Sequence, residues 1–219
     1  MSFWPNAYRK QRNSRLATMS DHRHGQHRPH VHGHENTFRA FLALDLESDA
    51  RHELSRLAAL LKEQCHGSYP PSEMYHMTLA FLGDITLNQA EMLMNVLEDV
   101  CDRYEPFELK LCRLGFFGQP ESGTVFCSTE RNNTLLSLAQ DVYRAAWDVR
   151  IPFDDKQFRA HITLGRRVDL SPLRLNSIEV NHVPFTVKGI TLYKSILRPA
   201  GPIYEQIAFS AFTKTQATK

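Results

Sequence analysis

His76-Met77-Thr78-Leu79-Ala80-Phe81-Leu82-Gly83-Asp84 and, 85 residues after its first histidine, His161-Ile162-Thr163-Leu164-Gly165-Arg166 decide how this chain folds. Each stretch opens an apolar run with His-x-Thr-Leu. On a β-strand successive side chains alternate faces, so His76 and Thr78 share one face and Met77 and Leu79 the other; His161 and Thr163 repeat the arrangement. A single copy reads as the polar face of a half-buried strand. Two copies, each with an apolar reverse face, read as two halves of a cleft floor backed by core. An imidazole is a general acid or base near neutral pH and a threonine hydroxyl is a hydrogen-bond donor. Two facing pairs therefore supply both proton transfers of a phosphoryl displacement, and neither a metal nor a covalent nucleophile is required.

The surroundings of the two motifs match. Phe38, Ala40, Leu42, Leu44 and Leu46 alternate along a strand whose other face is also partly apolar. Ser48 is placed to cap a helix carrying Leu54, Leu57, Ala58 and Leu61 at i, i+3, i+4, i+7 spacing, with Gly67 near its end. Tyr69-Pro70-Pro71 breaks the chain before the first motif strand, His76 to Leu82, and Gly83-Asp84 reads as a turn into a second helix reaching about residue 103. Strands follow at Phe107 to Leu111 and Thr124 to Thr129, with turn chemistry between Gly115 and Gly123. Leu135, Leu138, Val142 and Ala145 or Ala146 mark a third helix ending before Pro152, and the second motif strand comes after the next loop. Phe185 to Val187, Ile190 to Leu197 and Ile203 to Phe212 close the chain as strands. The order helix, loop, His-x-Thr-Leu strand thus occurs twice. We read an α+β duplication, with α/β open on pattern alone: two pseudo-symmetric lobes, each an antiparallel sheet with helices outside, forming a central cleft.

With 219 residues and 42% hydrophobic content the chain can bury a real core. Its net charge of +2 conceals an asymmetry, because residues 1–36 carry six Lys/Arg against two Asp/Glu and leave the remainder at −2. A body of that balance lacks the basic stripe that grips long nucleic acid and suits a small or terminal phosphate ligand. Residues 1–36 also hold His22, His24, His27, His30, His32 and His34 without amphipathic period, and read as a disordered basic tail ahead of a domain spanning 37–219. Cys65, Cys101, Cys112 and Cys127 show no CxxC pairing and read as reduced thiols. No apolar stretch reaches the roughly 20 residues a bilayer span needs, which makes a cytoplasmic protein the expectation. His52, His66 and His182 lack the motif pattern and read as exposed. The motifs bring no third Cys, Asp or Glu at ligand spacing, so no metal is expected at His76 and His161.

In these residues the chain resembles the 2H phosphoesterase superfamily, and more closely the bacterial RNA 2′,3′-cyclic phosphodiesterases, also called 2′-5′ RNA ligases. The resemblance runs from about residue 37 to 212, through Phe38-Arg39-Ala40-Phe41-Leu42-Ala43-Leu44-Asp45-Leu46, the two motif stretches, and Thr191-Leu192-Tyr193-Lys194-Ser195. Tyr75 and Ala160 depart from it, standing where the family commonly has an apolar residue and a proline. The resemblance implies hydrolysis of a 2′,3′-cyclic phosphate on RNA or a nucleotide to a 2′-phosphomonoester, with no cofactor. His76 would be the acid and His161 the base; Thr78 and Thr163 would bind the non-bridging phosphate oxygens, and Arg166 would add a cationic contact. Phe81, Phe41 and Tyr75 are candidates to stack on the base. Partners would be RNA ends with a 2′,3′-cyclic phosphate or small cyclic or 2′-5′ nucleotides, taken by a monomer. The alternatives are the reverse reaction, 2′-5′ RNA ligation, and non-enzymatic binding of RNA ends.

Overall fold

The computed structural model describes residues 36–153, 157–199 and 201–214. Its elements, in chain order, are β1 (Thr37–Leu44), α1 (Ser48–Gln64), β2 (Met77–Thr86), α2 (Leu87–Cys101), β3 (Phe107–Phe117), β4 (Gly123–Thr129), α3 (Asn133–Asp148), β5 (Ile162–Val168), β6 (Pro184–Val187), β7 (Gly189–Ile196) and β8 (Ile203–Ala211), with short 3-10 turns at Ser72–Met74, Pro120–Ser122 and Leu175–Ser177. The expected tail lies outside the described residues, apart from Asn36.

The strands follow the order β6-β3-β4-β5-β2-β1-β7-β8, and every neighbouring pair is antiparallel. The two lobes expected from the duplication are the halves of this order, and β1-α1-β2 in one corresponds to β4-α3-β5 in the other. They meet edge to edge at β2 and β5, where the ladder consists of one residue pair, Met77 opposite Ile162. Both side chains are fully buried. Beyond that pair the two strands part and open the cleft.

Packing explains the helices. In α1, Ala50, Leu54, Leu57, Ala58 and Leu61 are buried along one stripe, and each leucine removed from water contributes about 1.5–3 kcal/mol. In α3, Leu135, Leu138, Ala139, Val142, Ala145 and Ala146 do the same. α2 opens on a capping box, with the Thr86 hydroxyl accepting from the Gln89 amide and the Gln89 side chain accepting from the Thr86 amide. The helices reach across the seam. α1 connects β1 to β2 yet packs on β5 and β6, while α3 connects β4 to β5 yet packs on β2 and α2. Buried Glu53 on α1 pairs with Arg56 and accepts from the Asn181 amide and side chain, and the Glu47 carboxylate accepts from the Thr186 amide, tying α1 to the segment around β6.

Local expectations change in four places, the first being β3, which runs on through Gly115 to Phe117 where turn chemistry is expected. The N-cap of α1 is Glu47, without a side-chain cap bond, because its carboxylate is drawn to Thr186 and Lys188; Ser48 is the first helical residue. That helix ends at Gln64, with Cys65 as its cap, before Gly67. Gly83-Asp84 is inside β2, because Gly83 takes φ +69° and lets the strand bulge there and continue to Thr86. Cys65, Cys101, Cys112 and Cys127 are free thiols, and His52, His66 and His182 are exposed.

Candidate active site

Each motif histidine stands one residue before its strand, and the lone ladder pair fixes how the two face each other. In the register that places Met77 opposite Ile162, His76 falls level with Thr163 and Thr78 level with His161, all four on the face opposite the core. A second shared feature extends each set. Ala43 pairs with Thr78 and Leu42 with Ala80, so Leu79 is an extra, bulged residue; Phe126 pairs with Thr163 and Val125 with Gly165, so Leu164 is another. A bulge resets the alternation. The third side chain on the cleft face is therefore Phe81 in one lobe and Arg166 in the other. Both are exposed, Phe81 to 53%.

The histidines are held alike. His76 Nδ1 lies 2.7 Å from the Met74 carbonyl and His161 Nδ1 lies 2.7 Å from the Arg159 carbonyl. A carbonyl only accepts, so Nδ1 carries the hydrogen in both rings and Nε2 is left for chemistry. Aromatic rings back each imidazole. Phe41 lies 4.9 Å from His76, with Tyr193 stacked on Phe41 at 5.3 Å and Tyr204 edge-on to His76 at 5.2 Å. Phe117 meets His161 edge-on at 5.0 Å and stacks on Phe126 at 4.3 Å, while the Arg159 guanidinium sits over Phe117 at 5.1 Å.

Burial pushes both imidazoles below the ordinary histidine value, and the carbonyl at Nδ1 opposes the push in each. The charged neighbours differ. Asp45 favours charge on His76, against Arg166 and His161; at His161 both Arg166 and Arg159 disfavour it. Arg166 thus acts on both rings, as a cation between the two motifs would.

The five residues singled out from sequence share this cleft. Of the stacking candidates, Phe41 and Tyr75 are only 3% exposed, Phe41 serving as the wall behind His76, so neither offers a free face; Phe81 does. Sequence reading missed Phe117, Phe126 and Tyr204, which enter through strand register and ring packing. It also passed over Asp45 and Tyr193, although both stand in the stretches that carry the family resemblance. Among the described residues no group of three or more His, Cys, Asp or Glu side chains is arranged to hold a metal ion, and no helix is long and apolar enough to cross a membrane.

Known proteins are similar to this chain in sequence and fold. An RNA 2′,3′-cyclic phosphodiesterase of Methanothermobacter thermautotrophicus is 32% identical over 177 residues, covering 76% of this chain and 94% of that protein. One from Geobacillus stearothermophilus is 30% identical over 174 residues, covering 77% of this chain but 55% of its own length. Among solved structures, a Thermus thermophilus protein superposes with a TM-score of 0.70 at 25% identity over 80% of this chain and 98% of its own. Escherichia coli LigT, in a complex with 3′-AMP, shares the fold with a TM-score of 0.64 at 23% identity over 81% and 99%. The family described as LigT like Phosphoesterase matches residues 44–127 and again 125–204, one match for each motif, and the chain belongs to that family.

Proposed function

We propose that the chain hydrolyses the terminal 2′,3′-cyclic phosphate of RNA or of a nucleotide to a 2′-phosphomonoester, by acid–base catalysis between His76 and His161 and without a metal. The observation that carries this reading is the pair of histidines with matched Nδ1 anchors, each level with the other motif's threonine across the seam. The names of the relatives point to the same substrate class.

In the forward step His161 Nε2 takes a proton from a water whose oxygen forms the new bond to phosphorus. The P–O3′ bond breaks, and the proton on His76 Nε2 passes to the departing 3′ oxygen. The 2′ ester bond remains. Charge grows on the non-bridging oxygens during this displacement, and the Thr78 and Thr163 hydroxyls with the Arg166 guanidinium are the donors that receive it. Afterwards His161 is protonated and His76 neutral, and exchange with solvent restores the starting state. Phe81 stacks on the base. The enzyme works as a monomer in the cytoplasm.

The test is incubation, in excess EDTA, with an RNA oligonucleotide ending in 2′,3′-cyclic phosphate, resolving the 2′- and 3′-phosphate products. A 2′-phosphate product is expected from the wild type, with His76→Ala and His161→Ala each slower by on the order of 10²–10⁴. A loss below tenfold in either variant, or an activity abolished by EDTA, overturns the mechanism.

A further inference from the structure

A duplicated site carries a chemical problem: acid–base catalysis needs one histidine protonated and the other not, and two equivalent imidazoles sharing one proton would spend half their time in the wrong arrangement. Corresponding positions show where equivalence is broken. Asp45 stands two residues beyond Ala43, the partner of Thr78, and the residue two beyond Phe126, the partner of Thr163, is Ser128, whose hydroxyl donates to the Arg113 carbonyl; the carboxylate that follows β4 is Glu130. Glu130 turns outward, 3.9 Å from Lys110 Nζ and 3.3 Å from His182 Nδ1, with about half of its side chain exposed. Asp45 turns inward. One of its oxygens accepts from the Thr191 hydroxyl at 2.5 Å and the other from the Tyr193 hydroxyl at 2.6 Å.

The ring carrying that second hydroxyl belongs to the wall of His76, since Tyr193 stacks on Phe41 and Phe41 packs on His76. In the other lobe Phe126 lies opposite Thr163 as Ala43 lies opposite Thr78, so Thr124 corresponds to Phe41, and the residue paired with Thr124, where Tyr193 stands in the first lobe, is Phe117, a ring without a hydroxyl. Gly115, paired with Phe126, stands where Thr191 does in the first lobe, and a Cβ there would lie 2.7 Å from Phe126 Cζ, so that position takes no side chain while Phe126 keeps its place. The second lobe thus has neither the inward carboxylate nor the phenol that clamps it.

We propose that Asp45, clamped by Thr191 and Tyr193, is a positioning residue that makes the two halves unequal, holding negative charge beside His76 alone and so fixing His76 as the acid and His161 as the base. The inference rests on the two-histidine phosphodiesterase reading and deepens it. The groups facing His76 are Asp45 at the end of β1, His161 and Arg166 from the second motif, Tyr193 on β7 and Tyr204 on β8; Asp45 is the anion among them. Arg51 of α1, bonded to the Leu46 and Ser72 carbonyls, bears on Tyr193 from behind. Those facing His161 are His76 across the seam and the cations Arg166 and Arg159.

The experiment titrates the imidazole protons of the free wild-type protein, D45N and E130Q by NMR, beside pH profiles of kcat/KM on RNA ending in 2′,3′-cyclic phosphate. In the wild type His76 is expected to titrate at higher pH than His161. D45N should lower the His76 titration by about half a unit to one unit, leave His161 in place and draw down the alkaline limb of kcat/KM by the same amount. E130Q should move none of these. A wild type in which His161 titrates above His76 overturns the proposal, as does a D45N that shifts both histidines equally or neither. If D45N fails to fold, the wild-type order alone decides. Absence of turnover would count against the phosphodiesterase reading, while the NMR titrations would still judge Asp45.

Discussion

Replacing Arg166 by methionine tests two consequences of one position. The bulge at Leu164 sets Arg166 on the cleft face beside His161 and Thr163, where it disfavours protonation of both histidines. A hydrogen bond to a charged group contributes about 1.5–3 kcal/mol, and the exposure of Arg166 argues for the lower part of that range. At about 1.4 kcal/mol per tenfold, kcat/KM for a 2′,3′-cyclic phosphate substrate should fall about 10- to 30-fold. The pH profile supplies the second reading. The wild-type optimum of kcat/KM should lie on the acid side of 6.5, because burial lowers both imidazoles from that value. Loss of the cation removes an influence that lowers both, so both limbs of the bell should move to higher pH. Initial rates from pH 4.5 to 9 at constant ionic strength measure the two effects together. A rate loss under threefold with an unmoved bell, or a bell displaced to lower pH, would refute the placement of Arg166 at the reacting phosphate.

Phe81→Ala should raise KM for an RNA substrate about 5- to 150-fold with kcat nearly unchanged, the equivalent of about 1–3 kcal/mol of base stacking, and Phe81→Tyr should restore it; a KM within twofold of wild type would show that the base lies elsewhere. Gly165→Ala should lower stability by about 1–3 kcal/mol, read from the denaturant midpoint, because the new Cβ would stand 2.8 Å from Val168 Cγ2 and 3.0 Å from the Tyr69 ring. The same variant should lose activity at temperatures where it remains folded, since Arg166 is the next residue and its backbone is bridged to Ser68. An unchanged midpoint would mean that Tyr69 yields at no cost.

The motif strands and the helices that precede them were legible because their periods are carried by long apolar runs: Leu54, Leu57, Ala58 and Leu61 are buried as their spacing requires. The two bulges were not. Leu79 and Leu164 look like ordinary alternating residues, and only the pairing partners on β1 and β4 show them as extra. Arg166 is legible as part of a local cluster of arginines and through family resemblance, whereas strict alternation from Thr163 would turn it toward the core. The wall rings were hidden for a related reason, since Phe117, Phe126 and Tyr204 lie on strands distant in sequence and meet the histidines only once register is fixed. Ser48 failed as a cap because a more distant attraction, Glu47 to Thr186 and Lys188, settled the helix start. Asp45 reads locally as a polar position at a strand end, and nothing in its neighbours foretells the phenol that clamps it.

The crossed helices bear on how the protein comes apart. Along the cleft the two halves share one ladder pair, so the strands alone would separate almost freely, yet each half leans on a helix strung between strands of the other. Neither repeat can bury its own apolar surface when alone. A fragment cut between α2 and β3 would strand the stripe of α1 without its cover and leave β2 without α3. The halves must therefore melt together, and the gap between His76 and His161 is governed from the far side of the sheet, by side chains that never meet substrate.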